Sequence, residues 1–241
     1  MADPRVVRLE RQGTTAVSLA LAGLSPCPVL VLVGGAGGMP QDEEAALVDL
    51  FRQHVVPAVV DAGATVVDGG TDAGVMRAMG LARALSDVDF PLVGVAAEGT
   101  VCLPGDDPDD PGDADEAGGR AGVDTHHSHL VLVPGGEWGD ESPWLSAVTG
   151  ALSSGARSAT LLVNGGDIAY DDVRHSLAAG RPVVVLAGTG RTADAIARAV
   201  SDPAAEGPAR EIAGSPLVRV VPLHEPSLLS DTLTALLSPG T

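Results

Sequence analysis

The sequence contains no lysine, so each of its 14 basic residues is arginine, and they stand against 32 aspartates and glutamates for a net charge of −18. That balance excludes the basic footprint with which proteins grip a nucleic-acid backbone, and it argues against docking on an anionic membrane. It leaves room for a small phosphorylated ligand, which needs local donors rather than global positive charge. The absence of lysine fits a GC-rich genome and carries no functional weight. Aromatics make up only 2% of the chain, so the core must be built from Val, Leu, Ala and Ile. The two cysteines, Cys27 and Cys102, lack metal or redox spacing, which suits a reduced cytoplasm. No apolar run reaches the ~20 residues of a membrane span, and Met1-Ala2-Asp3-Pro4-Arg5 is not followed by a signal-peptide core. A soluble, cytoplasmic chain is expected.

What is present is aliphatic and punctuated by glycine. The 241 residues suit one large α/β domain, 1–241. Val6–Leu9 and Val17–Leu21 read as N-terminal strands within 1–28, joined at Gln12-Gly13 and able to form an antiparallel edge or hairpin. Val29–Val33 is apolar without alternation, as expected of a strand in a parallel sheet covered on both faces. Further strands are expected at Thr65–Asp68, Pro91–Ala96, Leu130–Val133, Ser158–Val163, Pro182–Leu186 and Leu217–Val221. Helices are expected between them, including Asp42–Ala62, which Pro57 should kink or break. Asp202–Gly214 reads as loop, and 225–241 as a terminal helix and tail. Strands alternating with helices predict a Rossmann-like, doubly wound, mainly parallel sheet with helices on both faces.

Five of these strands run into a glycine turn and then a helix, after Val33, Asp68, Val133, Val163 and Leu186. In a doubly wound sheet all such turns lie at one edge, the carboxyl ends of the strands. A single turn of this kind can be an ordinary connection, but several together form a rim rich in free N–H groups at helix N-termini, suited to phosphate. The candidate ligand-binding residues are therefore Gly34 and Gly35; Asp68, Gly69, Gly70, Thr71 and Gly74; Gly165, Gly166 and Asp167; and Gly188, Thr189, Gly190 and Arg191. Thr71 can cap a helix or bond a phosphate oxygen, and Arg191 can pair bidentately with phosphate. Gly188–Ala193 also fits G-x-G-x-x-[GA], but it lies late in the chain and has no clear ribose-binding acid at the expected offset.

Two other clusters are chemically suggestive. Residues 104–124 set seven carboxylates, from Asp106 to Glu116, among Pro and Gly. With no EF-hand spacing, this reads as a mobile acidic loop rather than a calcium site. His126, His127 and His129 precede a strand, on which His127 and His129 would share a face. With Asp124 near they could hold a metal, but no third ligand has clear spacing, so His129 is read as lining a cleft and no metal is expected.

The ordered motifs resemble the SLOG superfamily, which includes the DNA-processing protein DprA and the LOG nucleotide hydrolases. They are Gly34-Gly35, Asp68 to Met76, His127 to Val133, Trp138-Gly139-Asp140-Glu141, Val163 to Gly166, and Gly188 to Asp194. Within that grouping they are most similar to the LSDAT branch, the N-terminal domain of TRPM cation channels and its stand-alone prokaryotic relatives. The resemblance spans roughly Val29 to Val200. It implies a Rossmann-like fold that binds a nucleotide-derived ligand such as NAD or ADP-ribose; with no channel segment, ion conduction does not carry over. The LOG enzymes carry P-G-G-x-G-T-x-x-E. Here Asn164-Gly165-Gly166-Asp167-Ile168-Ala169-Tyr170-Asp171-Asp172 keeps the glycine pair and places carboxylates near the Glu position, but lacks the leading Pro and the Gly-Thr.

The leading expectation is thus a binding or sensor domain that requires no cofactor, acting alone, as a homo-oligomer or with a separate effector protein. The alternatives are a nucleotide hydrolase, with Asp171, Asp172 or Glu141 as acid or base, and a non-binding assembly scaffold.

Overall fold

The computed structural model describes residues 3–35, 37, 39–103, 105–106, 119–202 and 204–238. Eight parallel strands form the central sheet, in the order β1-β7-β4-β3-β2-β8-β9-β10. They are β1 (Arg5–Arg8), β2 (Val29–Gly34), β3 (Thr65–Asp68), β4 (Leu92–Ala97), β7 (His129–Val133), β8 (Ser158–Val163), β9 (Val183–Ala187) and β10 (Val218–Pro222). Two short strands, β5 (Val101–Cys102) and β6 (Ala121–Gly122), pair outside it.

Continuous apolar runs become central strands because both faces are covered. Along β2, Leu30 and Leu32 enter one core while Val29, Val31 and Val33 enter the other. The first core is closed by α2 (Gln41–Leu50), α3 (Val56–Asp61), α4 (Gly74–Leu85) and α9 (Pro226–Leu237). The second is closed by α1 (Thr15–Leu21), α5 (Ser142–Leu152), α6 (Asp167–Ala178), α7 (Arg191–Ser201) and α8 (Gly207–Ala213). Each fully buried Val, Leu or Ile in these layers is worth ~1.5–3 kcal/mol.

Three sequence expectations need correction. Val17–Leu21 lies in helix α1, not in a strand: Thr15 and Leu19, four apart, face the core, while Val17 and Leu21 are exposed. The apolar alternation there imitates a strand, but burial follows the helical period. Consequently there is no N-terminal hairpin, and β1 joins β7 in parallel. Part of the expected loop at 202–214 is α8, which starts with Gly207 and Pro208, residues compatible with a helix start. Pro57 does not break its helix, because a π turn over Phe51–Val55 connects α2 to α3 and Val56 N–H bonds Phe51 O. The wider turn accommodates the proline ring without the usual clash.

Most of the acidic stretch 104–124 lies outside the described residues, as does the end of the tail, 239–241. The described end, 119–124, is pinned: β6 pairs with β5, and Thr71 bridges Val123.

The β3–α4 turn is set by a close backbone approach. Gly70 has φ +70°, and a Cβ on Gly94 of β4 would lie 2.5 Å from Gly70 Cα. Gly94→Ala is therefore expected to destabilise the protein by ~1–3 kcal/mol, read as a lower denaturation midpoint at unchanged slope.

Candidate functional site

From β2 the sheet grows in both directions, toward β3 and β4 on one side and toward β8 and β9 on the other. The connections leaving β2 and β8 therefore diverge, and a crevice opens at the carboxyl ends of these strands. A cavity of about 580 Å³ occupies it.

One end of this cavity gathers hydrogen-bond donors. Gly34 ends β2 and Gly35 and Gly37 follow it, while Gly166, Asp167 and Ile168 form the N-terminal end of α6. A glycine N-cap has no side chain to occupy the first free N–H groups of that helix. Arg191 lies across the same glycines: a Cβ on Gly35 would be 3.3 Å from its Nη1, and one on Gly166 would be 3.1 Å from its Nη2. Among the described residues, Arg191 Nη1 donates only to Gly37 O, at 3.3 Å. Among the described residues Arg191, like several other arginines, pairs with no carboxylate, whereas Arg8, Arg52, Arg77, Arg83, Arg120 and Arg174 do; what sets Arg191 apart is its place on the cavity wall.

The turns holding Arg191 are stitched together. Thr189 Oγ1 accepts the Asn164 N–H at 2.8 Å, Asn164 Nδ2 donates to Thr189 O at 2.7 Å, and Thr192 Oγ1 donates to Gly166 O at 2.9 Å. Asn164 (φ +57°) and Arg191 (φ +47°) are both left-handed, and only Asp87 shares this among the described non-glycine residues. Such conformations persist where the surroundings over-determine them and cluster at functional sites.

The other end of the cavity carries Trp138, Glu141, Leu145 and Asp172. Burial raises the Glu141 carboxyl above its ordinary range; its own N–H and that of Gly139 oppose the shift, and the Asp140 charge adds to it. Burial likewise pushes Asp172 up to about 7, opposed by the nearby Ser142 hydroxyl and reinforced by the charges of Glu141 and Asp171. Ser142 Oγ, although close, makes no hydrogen bond of good geometry and is buried. Thr71 Oγ1 is also buried without a partner, on a residue that lines the cavity and is 2% exposed.

Asp68 ends β3 but does not open into the cavity. Its Oδ1 accepts the Gly70 N–H and His127 Nε2, each at 2.8 Å, while His127 Nδ1 meets Asp124 Oδ2 at 3.1 Å. With both ring nitrogens facing carboxylates, His127 is an imidazolium. Burial alone would lower its pKa, but the Asp68 charge and the bonds to both carboxylates raise it to about 10. No lone pair remains for a metal, and among the described residues no group of three or more His, Cys, Asp or Glu is arranged to hold one. The cluster instead fixes the turn that presents Gly69 and Thr71.

The proposed residues thus separate by position. Gly34, Gly35, Gly69, Thr71, Glu141, Gly166, Asp167, Asp172 and Arg191 line the crevice. Gly188, Thr189 and Gly190 line a second cavity beside it. Gly70 packs on Gly94, Gly165 packs beneath Ala169 and Thr192, and Gly74 begins α4 with φ +51°. Asp171 points outward to Arg174. His129 starts β7, at the amino end of the sheet away from the crevice, where its Nε2 meets Ala22 O. Trp138 and Asn164 were not among the candidates. Trp138 carried a signal in its W-G-D-E run, and Asn164 in being an asparagine before a glycine pair, a residue type that tolerates left-handed backbone.

A doubly wound α/β domain with a glycine-lined, polarised crevice at its switch point is the class these features define. The sequence matches the family described as SLOG in TRPM, prokaryote, over residues 27–230, and the chain belongs to that family. It is 24% identical over 234 residues to transient receptor potential cation channel subfamily M member 2 of Rattus norvegicus, covering 84% of this chain and 16% of the channel. The Mus musculus channel of the same name is 24% identical over 212 residues, covering 76% and 14%. The chain thus spans about a sixth of the length of these relatives. Among solved structures, the X-ray structure of TM1055 is similar at a TM-score of 0.49 and 19% identity, over 85% of this chain and 99% of that one. Among the described residues, no helix is long and apolar enough to cross a membrane.

The buried cluster has a pH signature. The folded pKa of His127 lies above the ordinary value of 6.5, so its contribution to stability is complete below about pH 6.5 and is lost as pH rises through about 10. His127→Gln leaves two buried carboxylates short of their cation and should cost ~3 kcal/mol near neutral pH. Melting from pH 6 to 10 should show the gap to wild type narrowing as pH rises.

Proposed function

We propose that this chain binds a nucleotide-derived ligand, with ADP-ribose and NAD as the leading candidates, and acts as a ligand-responsive module. The observation that carries this reading is the Arg191 guanidinium, which lies over Gly35 and Gly166 beside the α6 N-terminus with no carboxylate partner among the described residues. Charge-assisted donors gathered with helix N–H groups suit a phosphate. The buried Thr71 hydroxyl supplies a further donor. At the far end Trp138 offers a stacking face, and the Glu141 and Asp172 carboxyls can accept from ribose hydroxyls or a base amine. An acidic protein can hold such an anion because the donors are local, and because burial pushes the facing Asp172 carboxyl up to about 7, which removes part of its charge near neutral pH.

Thermal melting against NAD, ADP-ribose, AMP and cyclic nucleotides tests this, since a ligand specific to the native state raises the midpoint. At least one should do so, and Arg191→Ala should weaken its binding by about tenfold or more, equivalent to ~1.4 kcal/mol. No shift with any of them, or full affinity in the variant, contradicts the proposal.

A specific observation favours a second reading, hydrolysis. Helical geometry turns Asp172 into the crevice beside Glu141 and leaves Asp171 outside. A carboxyl that titrates near 7 can exchange a proton with a leaving group or an attacking water. If the chain turns over its ligand, chromatography of incubated AMP or NAD will show product, and Asp172→Asn will remove it. No product above the blank leaves binding as the sole activity toward those substrates.

A further inference from the structure

The sheet ends at β1, and that edge is open. Arg5 N–H and Leu9 N–H donate to Ser128 O and Leu132 O on the β7 side, each at 2.9 Å. Backbone groups alternate in direction along a strand, so the N–H and C=O of Val6 and Arg8 point away from β7. Among the described residues they have no partner. Such an edge is a template for another strand unless charge, proline or a covering element guards it. Here the nearby charges are turned aside: Arg5 donates to Leu21 O and Ala22 O, and Arg8 pairs with Glu98. The Val6 side chain is left 41% exposed.

The helix beside this edge is also uncovered. Arg5 ties β1 to the C-terminal end of α1, whose inner face holds Thr15 and Leu19. Its outer face is Ala16, Val17, Ala20 and Leu21, with Val17 64% and Leu21 76% exposed. No charged residue occurs from Gln12 to Gln41, in a chain that is 19% charged. A helix apolar on both faces belongs between two neighbours, and within one chain α1 has only the inner one.

Charge selects the occupant. Asp3 precedes β1 and Arg11 follows it; both are exposed, and among the described residues neither is in an ion pair. Run antiparallel to itself about Val6, the strand lets the two Val6 residues exchange both backbone bonds. Arg8 N–H then meets Pro4 C=O of the other chain, and Pro4, with no N–H, ends the ladder. The same register carries Asp3 of each chain toward Arg11 of the other. Two copies at −18 each repel over most of their surfaces, but the uncharged α1 faces meet side by side across the dyad without that cost. We propose that β1 and α1 form the two-fold interface of a homodimer, in which the central sheets of two chains join into one. The pairing is closed, because the same patch serves both copies.

Sedimentation equilibrium of the full chain tests this. The mass should approach twice the 24.1 kDa of one chain as concentration rises. Leu21→Arg, at an exposed helix position, should raise the dimer dissociation constant about tenfold or more. Val6→Pro removes an N–H that β7 does not use and should act likewise, with circular dichroism unchanged in both variants. Asp3→Arg and Arg11→Asp should each weaken the dimer, and the two together should restore it. A single chain's mass at every concentration up to the millimolar range overturns the proposal. So does a dimer indifferent to Leu21→Arg, or a double charge exchange no tighter than its single changes. None of these residues lines the crevice, so nucleotide binding stands or falls separately.

Discussion

The divergence of the chain on either side of β2 is the constraint on which the rim depends. Strands β2 and β8 are neighbours in register, Gly34 opposite Val163, yet their continuing connections pass to opposite sides of the sheet. No loop can cover the carboxyl ends of both strands, so a crevice remains there. Beside β2 and β8 its wall comes from backbone, because the elements there approach too closely for side chains. A Cβ on Gly34 would lie 2.5 Å from Val75 Cγ2, and one on Gly165 would lie 2.9 Å from the Ala169 Cβ. Close packing thus favours glycine on both sides of the crevice, and glycine in turn exposes the helix N–H groups that make it attractive to an anion. Packing and binding ask for the same residues.

Electrostatics then divides the cavity. The cationic end is built from a helix terminus and one arginine; the opposite end carries two carboxyls whose pKa values burial raises. Beneath the rim, the Asp68–His127–Asp124 cluster serves a different purpose. It ties the end of β3 to the segment before β7, with one imidazolium held between two buried carboxylates and Asp68 Oδ2 left without a hydrogen-bond partner. A buried ion triad of this kind fixes a conformation without guaranteeing net stability.

The sheet was legible in the chain because strands apolar on both faces, each followed by glycine and a helix, admit few other arrangements. The family was legible from motif order. The failures have physical causes. Val17, Leu19 and Leu21 alternate like a strand, yet only Leu19 reaches the core. His127 and His129 were expected to share a strand face, but β7 begins only at His129, and His127 turns inward to a carboxylate 59 residues away in sequence. Nothing local announces such a partner. Asp171 and Asp172 could not be separated by composition; only the rotation of α6 does so. Asn164 is conformational in role, lying in a left-handed turn that its side-chain chemistry does not announce.

The proposed binding rests on backbone amides from turns far apart in sequence holding one phosphate-bearing ligand at the β2/β8 crevice. Amide-resolved NMR titration with ADP-ribose tests it most directly. The largest perturbations should fall together on Gly35, Gly166, Asp167, Ile168 and Arg191, while the His129 amide at the opposite edge stays still. Saturable perturbations centred elsewhere, or none at concentrations well above the millimolar range, would contradict it.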